Sequence, residues 1–247
     1  MASREANGPT EFTGYENLDL EASIHTLVVG GEVAEDASDT DIMFVTKQTP
    51  FYAESGGQAG DKGVATLPNG VVTITDVLKK AGDLHVHIGT LKGSASEGDM
   101  ATLSVNADNR TQTMANHSAT HIMHEALRRV LGEHVTQKGQ MVDGERIRFD
   151  ISHGAAIMRE ELAKVEDQVN QVILQNSEAN TKLMNPEAAM EAGAIALFGE
   201  KYGDGAGMIL AHVNEDVSEL FDNFHGGWPA PLATVFGLQI GCNEYSG

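Results

Sequence analysis

Hydrophobic and polar positions alternate through the first hundred residues with the period of β-strands. Short runs rich in valine, isoleucine, threonine and leucine recur there, at 22–33, 41–48, 63–67, 71–78, 84–89 and 101–107. Turn-forming residues separate these runs, as at Pro68-Asn69-Gly70 and Gly56-Gly57. Several short strands at this spacing predict a small β-barrel or sandwich.

Near residue 108 the pattern changes to the period of an amphipathic helix. The segment 116–131 places its apolar side chains on one face, at Ala119, Ile122, Met123, Ala126, Leu127 and Val130. Gly132 follows directly and predicts the end of this helix. We take this change of period, at about residue 105, as the boundary between two domains.

Helices and strands are mixed in the second half of the chain. Further helices are predicted over 158–175 and after Asn185-Pro186, where an asparagine cap precedes a first-turn proline. Strands are predicted at 147–152, 207–213 and 236–240. This mixture indicates an α+β fold, with a β-barrel subdomain over 1–105 and a second domain over 106–247.

Composition excludes several classes of protein. The chain has 247 residues, of which 41% are hydrophobic, and this is enough for a packed core. One cysteine, Cys242, excludes a disulfide framework. The sequence contains neither a long apolar run nor a signal-peptide core, so we expect an intracellular, cytoplasmic protein with no membrane partner. The net charge of −20 argues weakly against a nucleic-acid partner.

One stretch reverses that charge. Between residues 110 and 148 basic side chains outnumber acidic ones, and the basic residues are Arg110, Arg128, Arg129, Lys138, Arg146 and Arg148. The same stretch contains the densest cluster of histidines. Basic residues grouped in this way are typical of a surface that binds phosphates, although so short a window also arises by chance.

The strongest local signal for chemistry is the pair His117 and His121. Four residues apart on a helix, the two imidazoles lie next to each other on one face and can bind one metal ion. His124 and Arg128 continue that face. No glutamate follows the first histidine, so the zinc-protease pattern is absent. The same spacing also suits two solvated histidines on a polar helix face.

Two further segments contain polar side chains in loops. The segment 49–61 contains three glycines and a proline, and its Thr49, Ser55 and Gln58 offer hydrogen bonds to a polar ligand. A plain β-turn between strands is the alternative. The segment 196–204 predicts a helix end followed by a charged turn that contains a tyrosine.

Taken in order, these segments resemble one family. TPFYAESGGQAGDKG, NHSATHIMHEALRRVLGEHVTQKG, ERIRFDISH and ALFGEKYGD are similar to the editing region of alanyl-tRNA synthetases and to the free-standing AlaX-type trans-editing proteins. EFTGYENL, at 11–18, resembles the segment that opens this region in the synthetase. The resemblance covers about residues 10–247. It implies a fragment or engineered version of the editing region.

The resemblance implies both a fold and an activity. The fold is a small β-barrel followed by an α/β editing core of the type shared with threonyl-tRNA synthetase as its second additional domain. The activity is zinc-assisted hydrolysis of Ser-tRNA(Ala) or Gly-tRNA(Ala). By position in the matching motifs, Thr49 is expected to pair with the hydroxyl of serine, Gln58 to orient ester or water, and His121 to act in catalysis.

The metal motif near the carboxyl end departs from the family. The family pattern C-G-G-T-H supplies a cysteine and a histidine, whereas here the lead Val217–Leu220 precedes Phe221 and, four residues on, His225. His225 falls on the family's histidine, but Phe221 occupies the cysteine position and cannot bind a metal. The resemblance therefore leaves His117, His121 and His225 as zinc ligands.

This departure leaves alternatives open. Three histidines can hold Zn²⁺ with an open fourth position, and Asp222, Cys242 or His212 can supply a further ligand. Otherwise the lost thiolate weakens the site, and the chain is a catalytically impaired scaffold. A metal-binding protein of unrelated function is a third, separate interpretation. The implied partner is the acceptor end of tRNA(Ala), with Arg128, Arg129, Lys138, Arg146 and Arg148 facing its phosphates.

Overall fold

A computed structural model describes residues 8–81, 83–176, 179–184, 206–211 and 224–225, the last three ranges as backbone only. The chain divides into two compact units, Met1–Thr113 and Met114–Gly247. This division falls inside the first helix, a few residues beyond the change of period near 105. In the part of the chain that the structure describes, every helix is too short or too polar to cross a membrane.

Within its described residues, the first unit contains ten strands. In chain order they are β1 Glu11–Phe12, β2 Asp19–Val29, β3 Glu32–Ala34, β4 Asp36–Ser38, β5 Asp41–Thr46, β6 Gln48–Thr49, β7 Gly63–Leu67, β8 Gly70–Lys80, β9 Leu84–Ser96 and β10 Met100–Val105. Six of them pair antiparallel in the order β10-β7-β8-β9-β5-β2, and β2 pairs with β10. The sheet therefore closes into a barrel, which confirms the barrel predicted from the strand pattern.

The barrel interior is filled by alternate residues of its strands. Leu27 of β2, Phe44 of β5, Val72 of β8 and Leu103 of β10 are all completely buried. Their positions follow the two-residue period of a strand, which points one face of the sheet inward. Outside the barrel wall, β1 pairs in parallel with β6, and Phe12 lies opposite Thr49.

Helix α1, Ala107–Leu131, follows β10 directly. Its amino end is capped by Asn106, whose side-chain oxygen accepts the Asn109 amide at 3.0 Å. Its carboxyl end is at Gly132, which has φ +119° and donates its amide to the Arg128 carbonyl at 2.8 Å. Gly132 therefore ends the helix as predicted, while the helix begins nine residues before the predicted start at residue 116.

The second unit also contains α2, Arg159–Gln175, and the hairpin of β11 Gln137–Val142 and β12 Ile147–Ile151. Helix α2 confirms the helix predicted over 158–175. Buried apolar side chains of the two helices form its core, together with Val135. They are Ile122, Met123, Ala126 and Leu127 of α1 and Val165, Val169, Val172 and Ile173 of α2.

Three short strands form a separate antiparallel sheet, with β13 Ala179–Met184, β14 Ala206–Ala211 and β15 Phe224–His225 in that order. β14 confirms the strand predicted at 207–213. The predicted helix after Asn185-Pro186, the turn at 196–204 and the strand at 236–240 lie outside the described residues. The barrel, the two helices and these strands together confirm the α+β class.

Candidate functional site

The middle of helix α1 presents a row of histidines. The rings of His117 and His121 have their centroids 5.1 Å apart, at an interplanar angle of 17°. This adjacency is what a four-residue spacing produces on a helix. His117 is buried, and its burial lowers the pKa of the imidazole below the usual value for histidine.

This pair fits the chemistry of a metal site. Metals bind the neutral imidazole, and the lowered pKa of His117 favours that form at neutral pH. The third expected ligand, His225, lies on β15, where its backbone pairs with Met208. Within the described parts of the chain, the structure brings together no group of three or more potential ligands. Phe221, Asp222, His212 and Cys242 lie outside the described residues.

Thr49 ends strand β6 inside the first unit. The side chain is fully buried, and its hydroxyl lies 2.8 Å from Nε2 of His87. The hydroxyl oxygen also accepts the backbone amide of Phe51 at 3.1 Å. Thr49 is therefore held by two hydrogen bonds within its own unit. Recognition of the serine hydroxyl by this residue stays a prediction.

His87, on β9, fixes the direction of the Thr49 hydrogen bond. Its Nδ1 lies 3.2 Å from the carbonyl oxygen of Phe44, which can only accept, so Nδ1 carries the proton. Nε2 is then an acceptor, and Thr49 donates to it. The ring stacks on Phe44 with centroids 4.6 Å apart. Complete burial lowers the pKa of His87 to about 3, so the ring is neutral at physiological pH.

Gln58 closes a tight turn at the tip of the 49–61 loop. Ser55 and Gln58 exchange backbone hydrogen bonds of 3.2 and 3.0 Å around Gly56 and Gly57, whose φ angles are +59° and +83°. Positive φ at both central positions belongs to a type I′ turn and favours glycine. The Gln58 side chain is buried beneath this turn.

A buried ion pair holds the loop at its base. From the sequence alone, its arginine is only one positive charge among several. Arg110, in the first turn of α1, donates from Nε to both carboxylate oxygens of Asp61, and its Nη2 also contacts Asp61. Nη1 and Nη2 donate to the carbonyls of Gly14 and Pro50 at 3.0 and 2.7 Å. Asp61 also accepts the Tyr52 amide at 2.6 Å. The loop is therefore rigidly anchored at both ends.

The residues predicted to bind RNA all lie on the second unit. Lys138 is exposed, and the four arginines pair with nearby carboxylates. Their closest nitrogen–oxygen distances are 3.8 Å for Arg128–Glu125, 3.0 Å for Arg129–Glu125, 3.8 Å for Arg146–Asp143 and 3.1 Å for Arg148–Asp150. The local positive charge is thus partly neutralised within the protein.

The predicted catalytic residues fall in two groups. Thr49 and Gln58 belong to one loop of the first unit. The base of this loop is held where Asp61 accepts the Tyr52 amide, and its tip is held where Ser55 pairs with Gln58. His117 and His121 belong to one helix face of the second unit. His87 and Arg110 support the first group, and sequence reasoning assigned neither to it, because their partners lie 38 and 49 positions away.

Comparison with known proteins places the chain in a class. Residues 1–109 match the family model of class II (A) tRNA synthetases. The barrel and the start of α1 lie within this match. The chain therefore contains a region of class II tRNA synthetase type.

Curated relatives define the family more narrowly. The chain is 52% identical to the alanine–tRNA ligase of Hyphomonas neptunium over 239 residues, which are 96% of the chain and 26% of the ligase. It is 49% identical to the Parvibaculum lavamentivorans ligase over 216 residues, covering 86% of the chain and 24% of that ligase. Nearly the whole chain is therefore similar to one part of the alanine–tRNA ligases, in agreement with the resemblance of its four motifs. It spans about a quarter of the length of these relatives.

Proposed function

We propose that this chain contains an editing site that hydrolyses Ser-tRNA(Ala) or Gly-tRNA(Ala). The observation that carries the proposal is the adjacent histidine pair of α1, whose rings lie 5.1 Å apart in a sequence related to alanine–tRNA ligases. The substrate places this reaction in the cytoplasm. The partner is the acceptor end of tRNA(Ala).

The need for such a site follows from the size of amino acids. Serine is alanine plus a hydroxyl and glycine is alanine minus a methyl, and such differences are worth only about 1–3 kcal/mol of discrimination in a binding pocket. A second site that hydrolyses the wrong esters supplies the missing selectivity. In this proposal Thr49 recognises the serine hydroxyl and Gln58 orients the ester or the water.

His117, His121 and His225 would hold a zinc ion in this site. Bound Zn²⁺ would supply Lewis-acid chemistry or anchor the 3′ end of the RNA. The contribution of the chain is a pair of preorganised imidazoles, of which His117 is kept neutral by burial. A neutral imidazole has a free lone pair on one ring nitrogen. It can therefore bind a metal without first losing a proton.

The phosphates of the acceptor stem would meet Arg128, Arg129, Lys138, Arg146 and Arg148. Arg146 and Arg148 carry the most exposed of these guanidinium groups, at 74% and 65% of their side-chain surface. Exposed ion pairs are worth little in water, so a phosphate can replace the carboxylate at small cost. We therefore assign the exposed face of the β11–β12 hairpin to RNA binding.

Deacylation of Ser-tRNA(Ala) by the purified chain tests this function. We expect release of serine by the wild-type chain, loss of release in His121→Ala, and no change in His25→Gln, a control on β2 of the barrel. Thr49→Val should reduce the preference for serine over glycine. Equal rates with and without the wild-type chain would refute the proposal.

A catalytically impaired scaffold is the second candidate, and Phe221 at the family's cysteine position favours it. Elemental analysis separates the two. About one zinc per chain, lost in His117→Ala, would support the deacylase. RNA binding without zinc and without turnover would support the scaffold.

A further inference from the structure

His124 is a third histidine on α1, three residues beyond His121. Its ring is nine-tenths buried, with 9% of its surface exposed, and lies 5.2 Å from the ring of Phe149 on β12. His124 lies at the border between the histidine face and the apolar face of α1, because the apolar residue Leu127 is three residues further along the helix. The ring is therefore both enclosed and close to the proposed site.

The hydrogen bonds of His124 define its tautomer. The ring bonds to the backbone of Val135. The Val135 amide already donates to the Gly132 carbonyl at 3.1 Å, so the Val135 carbonyl is the group that accepts from the ring. Nε2 has no hydrogen-bond partner in the described chain, so the bond is made by Nδ1–H. Nε2 is left with a buried lone pair.

A buried nitrogen without a partner requires an explanation, since such groups are rare in folded proteins. The charged side chains that act on His124 from its own helix are Arg128 and Glu125. Burial, followed by Arg128, lowers the pKa of the ring. On β12, Arg148 and Asp150 alternate with Phe149 and so point away from His124. The lone pair is therefore available at neutral pH.

A metal ion shared with His117 does not explain this lone pair. His124 lies seven residues beyond His117, which is about 10 Å along a helix axis, whereas two ligands of one zinc ion each lie about 2 Å from it. His124 therefore cannot join His117 on one ion. A water molecule or a hydroxyl of a ligand is the donor that fits a neutral, fixed Nε2.

We propose that Nε2 of His124 accepts the proton of the water that hydrolyses the aminoacyl ester. This inference rests on the proposed editing function. The water oxygen bonds to the ester carbonyl carbon as its proton passes to Nε2. The bond from that carbon to the ribose oxygen then breaks, and Nε2 returns the proton to the ribose oxygen. The products are the free amino acid and the tRNA with its terminal hydroxyl restored.

The Val135 carbonyl has a defined part in this step. It holds Nδ1–H, fixes the ring orientation and stabilises the imidazolium that forms when Nε2 gains its proton. A positioned base of this kind contributes about 10²- to 10⁴-fold to a hydrolysis rate. Substitution of a residue that only supports the fold would alter the amount of active protein. It would leave the pH dependence of the rate unchanged.

Single-turnover deacylation of Ser-tRNA(Ala) by the full chain, from pH 5.5 to 8.5, tests the proposal. We expect His124→Gln to lower the rate by about 10²-fold or more, to change the acidic limb of the pH–rate profile, and to regain activity with added imidazole. His124→Phe, which keeps a flat ring against Phe149, should show the same loss. His134→Gln, in the same unit, is the control and should match the wild type.

Each outcome is decisive. If both His124 variants fold, bind tRNA and keep the wild-type rate with the same acidic limb, the assignment of His124 is refuted while the editing function stands. If a variant loses activity but keeps the acidic limb and is not restored by imidazole, the role is structural and the assignment is also refuted. If the wild-type chain does not release serine at any pH, the editing function itself fails, and the role of His124 fails with it.

Discussion

His87 makes the stability of the barrel depend on pH in a direction that can be measured. The ring is completely buried and neutral, and its pKa is about 3 in the folded protein against 6.5 in a model compound. Between these two values the unfolded chain binds a proton at this position and the folded chain does not. Stability therefore rises with pH across this window and falls as the solution becomes acidic.

The magnitude follows from the linkage relation. One pKa unit corresponds to about 1.4 kcal/mol, so lowering the pH from 6.5 to 4.5 should remove roughly 2–3 kcal/mol of stability through His87 alone. The pKa values of His85, His117 and His124 are also lowered by burial, and their contributions have the same sign. A loss of this size is a large part of the stability of a typical domain.

His87→Gln isolates this effect, because glutamine offers both a donor and an acceptor but does not titrate. Urea unfolding followed by circular dichroism gives the free energy of unfolding at pH 6.5 and pH 4.5 for each protein. The substitution lowers stability at both pH values through lost packing, so the informative quantity is the difference between them. We expect this difference to shrink by about 2–3 kcal/mol in His87→Gln and to stay unchanged in the half-buried control His25→Gln. Equal differences in all three proteins would refute the argument.

Three other substitutions, two of them with a matched control, test the buried ion pair, a tightly packed glycine and the proposed RNA surface. Asp61→Ala leaves the buried Arg110 guanidinium without its carboxylate and should destabilise the chain by about 3–5 kcal/mol. Asp150→Ala removes a carboxylate from an exposed pair and should cost less than about 1 kcal/mol. Equal melting temperatures for the two variants would contradict this. Gly60→Ala would press its Cβ against the backbone carbonyl of Val77 on β8 and should cost about 1–3 kcal/mol. Gly154→Ala, with open space around it, should be neutral when both variants are compared by calorimetry. Arg148→Ala should reduce the slope of log K against log salt for tRNA binding by about one, and an unchanged slope would remove it from the RNA surface.

Local patterns predicted the elements of this fold better than its connections. The end of α1 at Gly132, the helix over 158–175 and most of the strand runs rest on neighbours in the sequence, and the structure confirms them. The run at 22–33 is instead two antiparallel strands, β2 and β3, joined at Gly30 and Gly31. The start of α1 was placed too late because residues 107–115 contain few apolar side chains to show a period. Its amino end is instead set by the side chain of Asn106, a capping interaction that the pattern of hydrophobic residues does not reveal.

The hydrogen bonds that hold the candidate site in place could not be predicted from the sequence, for a related reason. LHVHIG was assigned correctly to a strand, but nothing local shows that His87 would bond to Thr49 or to Phe44. Arg110 was counted as one charge among several, although its partner is a carboxylate 49 residues earlier. Such pairs depend on barrel closure, which brings distant segments together. The motif resemblance drew attention to the 49–61 loop, and the structure adds what holds that loop in place.

The charge of the chain bears on how it would meet RNA. A net charge of −20 repels a polyanion at long range, and the four arginines of the predicted RNA surface are already paired with Glu125, Asp143 and Asp150. A phosphate that binds one of these arginines would therefore displace a carboxylate, whereas Lys138 is exposed. Each such exchange costs little at an exposed arginine, and the small loss matters most for weak, non-specific contacts, where few favourable interactions offset it. Under the proposed function, specificity would therefore depend on the ester and the terminal nucleotide more than on the stem.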